Sequence, residues 1–280
     1  MPHVLEALAV LMKEAAEREI LPRFQHLATG DIISKASAAD PEDLVTVADR
    51  AAEAFLTEHL AGLVPGSLVI GEEAVAQTPS VLDALHGDSP VWLVDPIDGT
   101  KNFAAGIGPF GVMVALVERG ESLLSGIYLP LENDTYLAER GSGATWNGQR
   151  LVAHAAGSAE LTGTIYSRFM PPTVSASLNA HPENLRLAES PQCAAFEYAR
   201  LARGDHDFVL YYRLFPWDHV PGALIVREAG GVARRPERSA AAGDADYRAR
   251  SAEPMLLVAP DAARWNAVRT ALFEPRPTET

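Results

Sequence analysis

VWLVDPIDGT, residues 91–100, joins a short apolar run to a turn that carries two aspartates. The run Val91–Val94 predicts a buried strand that ends at the first aspartate. Pro96 fixes its own φ angle and stiffens the bend between the two acidic residues. Gly99 and Thr100 are predicted to open a short helix, and free N–H groups at a helix start suit an anion such as phosphate.

Acidic residues elsewhere in the chain also lie where a predicted element begins or ends. Asp49 follows LVTVA, Glu72 follows the predicted strand SLVIG, and Asp218 begins a predicted helix that closes at two glycines. Strand ends and helix starts meet at the edge of a sheet, where sites in α/β proteins usually form. We therefore expect these carboxylates to lie close to Asp95 and Asp98.

A carboxylate cluster of this kind predicts a magnesium centre. Mg²⁺ prefers hard oxygen ligands, which the acidic side chains and the Ile97 carbonyl would supply. Two such ions, roughly 3.5–4 Å apart, can hold the attacking and leaving oxygens of a phosphoryl transfer. Without a cation the crowded carboxylates would repel one another. The Thr100 hydroxyl is placed to relay a proton from water to Asp49.

Each acidic residue taken singly also has a purely structural interpretation. Glu72 can be a solvated residue at a strand end, Asp218 can be an N-cap, and Asp49 can be a polar residue on a helix surface without a specific role. Asp-Gly alone is a turn signal. The DPIDGT run with a glutamate upstream favours the functional interpretation.

The remaining pattern mixes helices with consecutive strands. Helices are predicted over Val4 to Phe24 and Leu44 to Leu63, and the polar stretch Ala28 to Glu42 is predicted to be a loop or a weak hairpin. Further elements are predicted at Phe110 to Glu118, Leu123 to Leu129, Thr135 to Glu139, Ala194 to Arg203, Phe208 to Tyr212 and Met255 to Ala259. Arg234 to Arg250 is predicted to be a surface excursion. Layered sheets and helices are expected rather than a simple doubly wound fold.

Composition narrows the class of protein. The 280 residues carry a formal net charge of −14, which argues against general binding of nucleic acid. Cys193 is the only cysteine, so an intrachain disulfide is impossible. The first residues lack a signal-peptide pattern and no apolar run reaches membrane-spanning length, so we expect a cytoplasmic protein without a membrane partner.

Five stretches resemble motifs of the inositol monophosphatase superfamily, from one end of the chain to the other. They are DLVTVAD (Asp43 to Asp49), GEE (Gly71 to Glu73), WLVDPIDGTKNF (Trp92 to Phe103), PWDHVPGALIVREAGG (Pro216 to Gly231) and, more weakly, GSGATWNGQ. The resemblance implies an α/β (α+β) protein with the layered α/β/α/β/α sugar-phosphatase fold, usually a lithium-sensitive homodimer. We expect residues 1–150 to form an N-terminal α+β part with most metal ligands. Residues 151–280 would then form a C-terminal α/β part with the last metal aspartate and the substrate-recognition region.

The resemblance also implies a role for each matching position. Glu72, Asp95 and the Ile97 carbonyl, with Thr100, would hold a first Mg²⁺. Asp95, Asp98 and Asp218 would hold a second, and Glu72 would also contact a third and weaker ion. The Gly99 and Thr100 amides would hold the phosphate, and Thr100 with Asp49 would activate the water. Lys35 corresponds to a lysine that lies near the site in relatives.

Two departures concern the substrate. Many inositol-specific relatives carry Arg-x-x-Gly-Ser before the helix that leads to the last motif, whereas this chain has Glu189 to Cys193, including Gln192. Relatives place a glutamate seven residues before the last metal aspartate, and here that position is Tyr211. Arg213 lies nearby and can either bind a second anionic group of a larger substrate or be a surface charge.

The expected activity is that of a phosphoric monoester hydrolase acting on a small phosphorylated polyol or sugar. Relatives with the same fold leave fructose-1,6-bisphosphatase, histidinol-phosphatase and 3′-phosphoadenosine 5′-phosphate phosphatase open as alternatives. A regulatory protein that acts through a partner is the alternative outside enzymes.

Overall fold

The computed structural model describes residues 1–36, 40–155, 160–178, 185–236 and 255–274. Its α-helices are α1 (Pro2–Ala15), α2 (Val47–Leu63), α3 (Glu72–Gln77), α4 (Thr100–Ala104), α5 (Pro172–Ser177), α6 (Ala194–Arg203), α7 (Pro216–Glu228) and α8 (Ala262–Phe273). Its strands are β1 (Ile32–Ser34), β2 (Leu44–Thr46), β3 (Leu68–Gly71), β4 (Val91–Asp98), β5 (Gly111–Glu118), β6 (Glu121–Leu129), β7 (Asp134–Glu139), β8 (Gly143–Trp146), β9 (Gln149–Leu151), β10 (Leu161–Ile165), β11 (Leu185–Leu187), β12 (Phe208–Tyr212), β13 (Val232–Arg234) and β14 (Met255–Ala259). None of these helices is long and apolar enough to cross a membrane.

Two sheets organise the chain. The larger has seven strands in the order β3-β4-β5-β6-β7-β8-β9, parallel between β3 and β4 and antiparallel elsewhere. The smaller has five strands in the order β11-β10-β12-β14-β13, and β14 runs antiparallel to both of its neighbours. A short two-stranded ladder of β1 and β2 lies apart from both sheets.

Side chains of β4 alternate between two cores, as the two-residue period of a strand requires. Trp92 and Val94 pack with α1 and α2 on one face of the large sheet. Val91 and Leu93 belong to the core that contains α6 and α7 on the other face. The outer face of the small sheet packs on α8, where Trp265 is buried. The layers therefore run α, β, α, β, α, which confirms the expected fold class.

The predicted helix from Leu44 is wrong in its first three residues, which form β2 instead. Thr46 explains the difference, because its side chain accepts hydrogen bonds from the Ala48 and Asp49 amides at 3.1 and 3.4 Å. Asp49 Oδ2 accepts from the Thr46 amide at 2.8 Å in return. This reciprocal capping box starts the helix at Val47 and leaves the preceding residues extended.

Other predicted elements can be compared with the structure by their bounds. The elements predicted at Ala194 to Arg203, Phe208 to Tyr212 and Met255 to Ala259 have those bounds in the structure. The first predicted helix is α-helical only to Ala15, and continues as a π-helical turn, Ala16–Ile20, and a 3₁₀ turn, Leu21–Arg23. The predicted surface excursion from Arg234 lies outside the described residues beyond residue 236.

Candidate active site

The end of β4 and the start of α4 form the turn predicted from DPIDGT. Gly99 is the residue before α4 and has a φ of 89°, in the left-handed region. A Cβ at this position would lie 2.9 Å from the Pro109 carbonyl oxygen, so both the backbone angle and the space require glycine. Thr100 is the first residue of α4, as expected from the sequence.

Thr100 connects this turn to α2. Its hydroxyl lies 3.1 Å from Asp49 Oδ1 and 2.9 Å from the Ile97 carbonyl oxygen, and the single proton can be donated to one of them at a time. Asp49 is buried, and burial raises its pKa to about 6 even though hydrogen bonds from Thr46 and Thr100 act in the opposite direction. The pair is suited to accept a proton near neutral pH.

Asp98 lies against the start of α6, almost a hundred residues further along the chain. Its Oδ2 accepts hydrogen bonds from the Ala195 amide at 2.6 Å and from Cys193 Sγ at 3.0 Å. Burial raises the pKa of Asp98 to about 6, while these donors lower it. Burial and the nearby Asp98 raise the pKa of the Cys193 thiol, which keeps the sulfur protonated as a donor.

Asp95 and Asp218 are neighbours in the cluster, and the carboxyl group of each affects the ionisation of the other. Burial raises the pKa of both well above the usual range, and the neighbouring carboxylates add to the effect. Asp95 is only 2% exposed, and its Oδ1 has no hydrogen-bond partner among the described residues. A cation at this point would satisfy that oxygen and reduce the repulsion between the neighbouring carboxylates.

Lys35 reaches the other side of the cluster. Its Nζ lies 2.7 Å from Glu72 Oε1 and 2.7 Å from Glu73 Oε1. Burial raises the pKa of Glu72 to about 8, and the Lys35 charge acts against this rise. The structure thus brings Lys35 to the carboxylate of Glu72 rather than to the lining of the neighbouring pocket.

Glu53 on α2 is a residue that the sequence analysis missed. Its carboxylate accepts hydrogen bonds from the amides of Glu73 and Ala74, at 2.8 and 2.9 Å, in the first turn of α3. It passes so close to Gly71 that a Cβ there would lie 2.1 Å from Glu53 Cδ. Glu53 therefore fixes the start of the helix that presents Glu72. Glu53 lies four residues after Asp49 and therefore on the same helix face, and this spacing could have pointed to it from the sequence.

The donor set fits Mg²⁺ in its chemistry. Asp95, Asp98, Asp218 and Glu72 supply hard oxygens, and burial raises the pKa of all four because it removes the carboxyl groups from water. Over the described part of the chain, however, no three acidic, histidine or cysteine side chains already form a closed ligand set. Asp98 is turned toward α6 and Glu72 toward Lys35. Binding a cation would require some of these side chains to exchange partners.

A pocket of about 370 Å³ opens beside the carboxylates. Asp98, Gly99, Thr100 and Asp218 line one part of it, together with His219. Burial lowers the pKa of His219 to about 3, so this imidazole is neutral at physiological pH. The three residues singled out for the substrate, Gln192, Tyr211 and Arg213, all line the same pocket.

The Tyr211 side chain lines the pocket but is buried, so it does not extend toward a ligand. It is 1% exposed and its ring lies 5.1 Å from that of Tyr198 and 4.6 Å from that of His219. A buried aromatic ring at this position supplies no carboxylate to bind the hydroxyl groups of a polyol.

Comparison with known proteins identifies the relatives of this chain. The sequence model of the Inositol monophosphatase family matches residues 2–264. A fructose-1,6-bisphosphatase/inositol-1-monophosphatase of Thermotoga maritima is 34% identical over 194 residues, which are 68% of this chain and 71% of that protein. A Nus factor SuhB of Salmonella typhimurium is 30% identical over 240 residues, covering 82% and 84% of the two chains. The solved structure of the extragenic suppressor protein suhB from Bartonella henselae has a TM-score of 0.76 at 25% identity, covering 98% of this chain and all of that one.

Proposed function

Because this chain belongs to the inositol monophosphatase family, we propose that it is a Mg²⁺-dependent phosphatase that hydrolyses phosphate monoesters of small polyols or sugars. The observation that carries the proposal is the meeting of the acidic cluster with the Thr100–Asp49 pair at one end of a pocket. Such a site has the oxygen ligands, the proton acceptor and the room that a metal-assisted phosphoryl transfer needs.

The acidic residues would divide the metal positions among them. Glu72, Asp95 and the Ile97 carbonyl, with Thr100, would hold one Mg²⁺, while Asp95, Asp98 and Asp218 would hold a second. Glu72 can also serve a third and weaker position. When bound, Mg²⁺ supplies Lewis-acid activation of water and neutralises charge on the phosphate oxygens.

Thr100 and Asp49 would move the proton of the attacking water. The Thr100 hydroxyl can donate to Asp49 Oδ1, 3.1 Å away, while its oxygen accepts a hydrogen bond from water. The raised pKa of Asp49, about 6, makes it a stronger base than an ordinary aspartate. The amides of Gly99 and Thr100 would hold the phosphate at the start of α4.

Phosphate release tests the proposal. The wild-type chain should release phosphate from at least one sugar or polyol phosphate with Mg²⁺ present and lose this activity in excess chelator. Asp95→Asn should reduce kcat by at least about 1,000-fold, because Asp95 serves both metal positions. Asp83→Asn, at an exposed position, is the matched control and should keep the wild-type rate. Full activity in chelator, or full activity of Asp95→Asn, would contradict the proposal.

The other substrates of this fold form a second group of candidates. Two of the relatives above carry the names fructose-1,6-bisphosphatase/inositol-1-monophosphatase and Nus factor SuhB. Values of kcat/KM for inositol 1-phosphate, fructose 1,6-bisphosphate, histidinol phosphate and 3′-phosphoadenosine 5′-phosphate would rank them. A large preference for inositol 1-phosphate would contradict the interpretation of Tyr211.

A regulatory role through a protein partner is the alternative that the SuhB relatives favour. A chain that binds Mg²⁺ but hydrolyses nothing across the panel would support it. We further propose a cytoplasmic homodimer, which size-exclusion chromatography with light scattering tests. The net charge of −14 gives no reason to propose nucleic acid as a partner, and we propose no membrane partner.

A further inference from the structure

The pocket lining is richer in aromatic residues than the chain as a whole. Its aromatic residues are Tyr166, Phe169, Tyr211, Tyr212 and Phe215. These are five of its 20 lining residues, a quarter, whereas Phe, Trp and Tyr make up 7% of the whole chain. Polyol hydroxyls need hydrogen-bonding partners, and aromatic faces do not provide them. Hydrogen bonds to the substrate must come from the other residues of the lining, which include both uncharged polar and charged side chains.

The cations that line the pocket, among the described residues, differ in their surroundings. Arg168 lies 2.7 Å from both Asp40 and Glu42, and Lys101 lies 3.2 Å from the same Glu42. These ion pairs hold both side chains to the acidic segment between β1 and β2. Arg213 is held by aromatic rings, in the turn between β12 and α7.

Packing against two phenylalanine rings fixes the orientation of the Arg213 guanidinium. Its guanidinium carbon lies 3.6 Å from the centre of the Phe169 ring and 4.8 Å from the centre of the Phe215 ring. Packing against rings fixes the plane of a guanidinium, whose N–H groups point outward in that plane and match the oxygens of phosphate or carboxylate. The group is therefore oriented before any ligand arrives.

The backbone at Arg213 is strained. Its φ is 64°, in the left-handed region, which residues with a Cβ rarely adopt. Such strain persists where the surrounding structure holds it, often at sites that bind a ligand.

We propose that the pocket selects phosphate esters whose alcohol part carries a second oxyanion, phosphate or carboxylate, and that Arg213 binds this second group. This inference rests on the proposed phosphatase function of the same site. The phosphate to be cleaved would lie at Gly99 and Thr100, and the second anion at the guanidinium. Arg213 is then a specificity-determining residue, and a substrate with one phosphate alone leaves it without its ligand.

Pairs of substrates that differ only in the second anion test the inference. We would compare fructose 1-phosphate with fructose 1,6-bisphosphate, and adenosine 3′-phosphate with adenosine 3′,5′-bisphosphate, for a second phosphate. Glycerol 3-phosphate against 3-phosphoglycerate gives the carboxylate case. For at least one pair, the wild type should have a kcat/KM about 10- to 100-fold higher for the doubly anionic member, the range expected for a hydrogen-bonded charge pair. The pair that shows this preference identifies the second anion as phosphate or carboxylate.

Variants of Arg213 separate recognition from folding. Arg213→Met should remove most of that preference while leaving the singly anionic substrates within about threefold of wild type, since the stem can still pack on Phe169. Arg213→Lys should restore part of the preference, because it keeps the charge without the planar fork. Arg200→Met is the control, since Arg200 also packs on a phenylalanine, Phe196, but does not line the pocket.

Equal kcat/KM values within every pair in the wild type would overturn the inference, and so would an equal loss on both members in Arg213→Met. Calorimetric binding of the same pairs gives a readout that does not need turnover. A chain that releases no phosphate from any ester would refute the proposed function. The difference in binding between the members of a pair, and its loss in Arg213→Met, would still decide the role of Arg213.

Discussion

Truncating Glu53 should destabilise the start of α3 and so lower the affinity of the site for Mg²⁺. Glu53→Ala removes the two hydrogen bonds that the carboxylate accepts from the amides of Glu73 and Ala74. Those amides lie in the first turn of α3, where no carbonyl within the helix can accept from them. Glu72, the first residue of α3, would then lose part of its fixed position.

The size of the effect follows from these two contacts. A hydrogen bond to a charged group contributes about 1.5–3 kcal/mol to stability. Removing two would cost about 3–6 kcal/mol of stability. The carboxylate is buried, and that burial raises its pKa, so the substitution also removes the unfavourable free energy of burying the charge. We expect a net loss of about 3 kcal/mol in the free energy of unfolding, or about 6 °C in Tm for a chain of this size.

Denaturant unfolding and Mg²⁺ titration by calorimetry measure the two consequences. Glu53→Ala should lower both stability and Mg²⁺ affinity, the latter by about tenfold, a typical cost of losing a group that orients a ligand. Glu53→Gln keeps one acceptor oxygen and should recover part of both. Glu58→Ala, at an exposed position on the same helix, is the control and should match the wild type.

Gly71→Ala approaches the same contact from the other side, since the new Cβ would lie 2.2 Å from Glu53 Oε2. It should therefore reduce Mg²⁺ affinity in the same way as Glu53→Ala. The reasoning is refuted if Glu53→Ala is as stable as Glu58→Ala and binds Mg²⁺ as the wild type does. A loss of stability with unchanged Mg²⁺ affinity would limit Glu53 to a purely structural role.

Two further predictions concern protons and ions. In excess chelator the free energy of unfolding should fall as pH rises from about 4 to about 6, because folded Asp49 keeps its proton to a pKa of about 6 while the unfolded chain loses it earlier. One proton contributes at most about 1.4 kcal/mol per pH unit, so Asp49→Asn should flatten the slope by up to that amount, and identical slopes would contradict the raised pKa. Li⁺ should inhibit phosphate release by competing for one Mg²⁺ position, and an unchanged rate at high lithium would count against an ordinary second metal position.

Much of the fold could be predicted because burial leaves a local pattern. The run at Val91–Val94 specified a buried strand, and Gly99 marked a turn that no other residue can make. The pattern was less informative at Leu44, where apolar residues suit a strand and a helix equally. The capping hydrogen bonds of Thr46 decided between them, and the Thr46-x-x-Asp49 spacing was the local signal for this helix start.

The sequence by itself determined which residues we propose to carry the chemistry. Carboxylates after strands and at helix starts, with a threonine after the glycine of the turn, appear in the chain as local motifs. The tertiary structure alone decided which groups surround each of them. Asp98 meets the start of α6, Glu72 meets Lys35, Glu53 holds α3, and two phenylalanines orient Arg213. These contacts join residues far apart in the chain, and periodicity and spacing report only on neighbours along it. The layers must pack before burial can raise a pKa or a ring can fix a guanidinium.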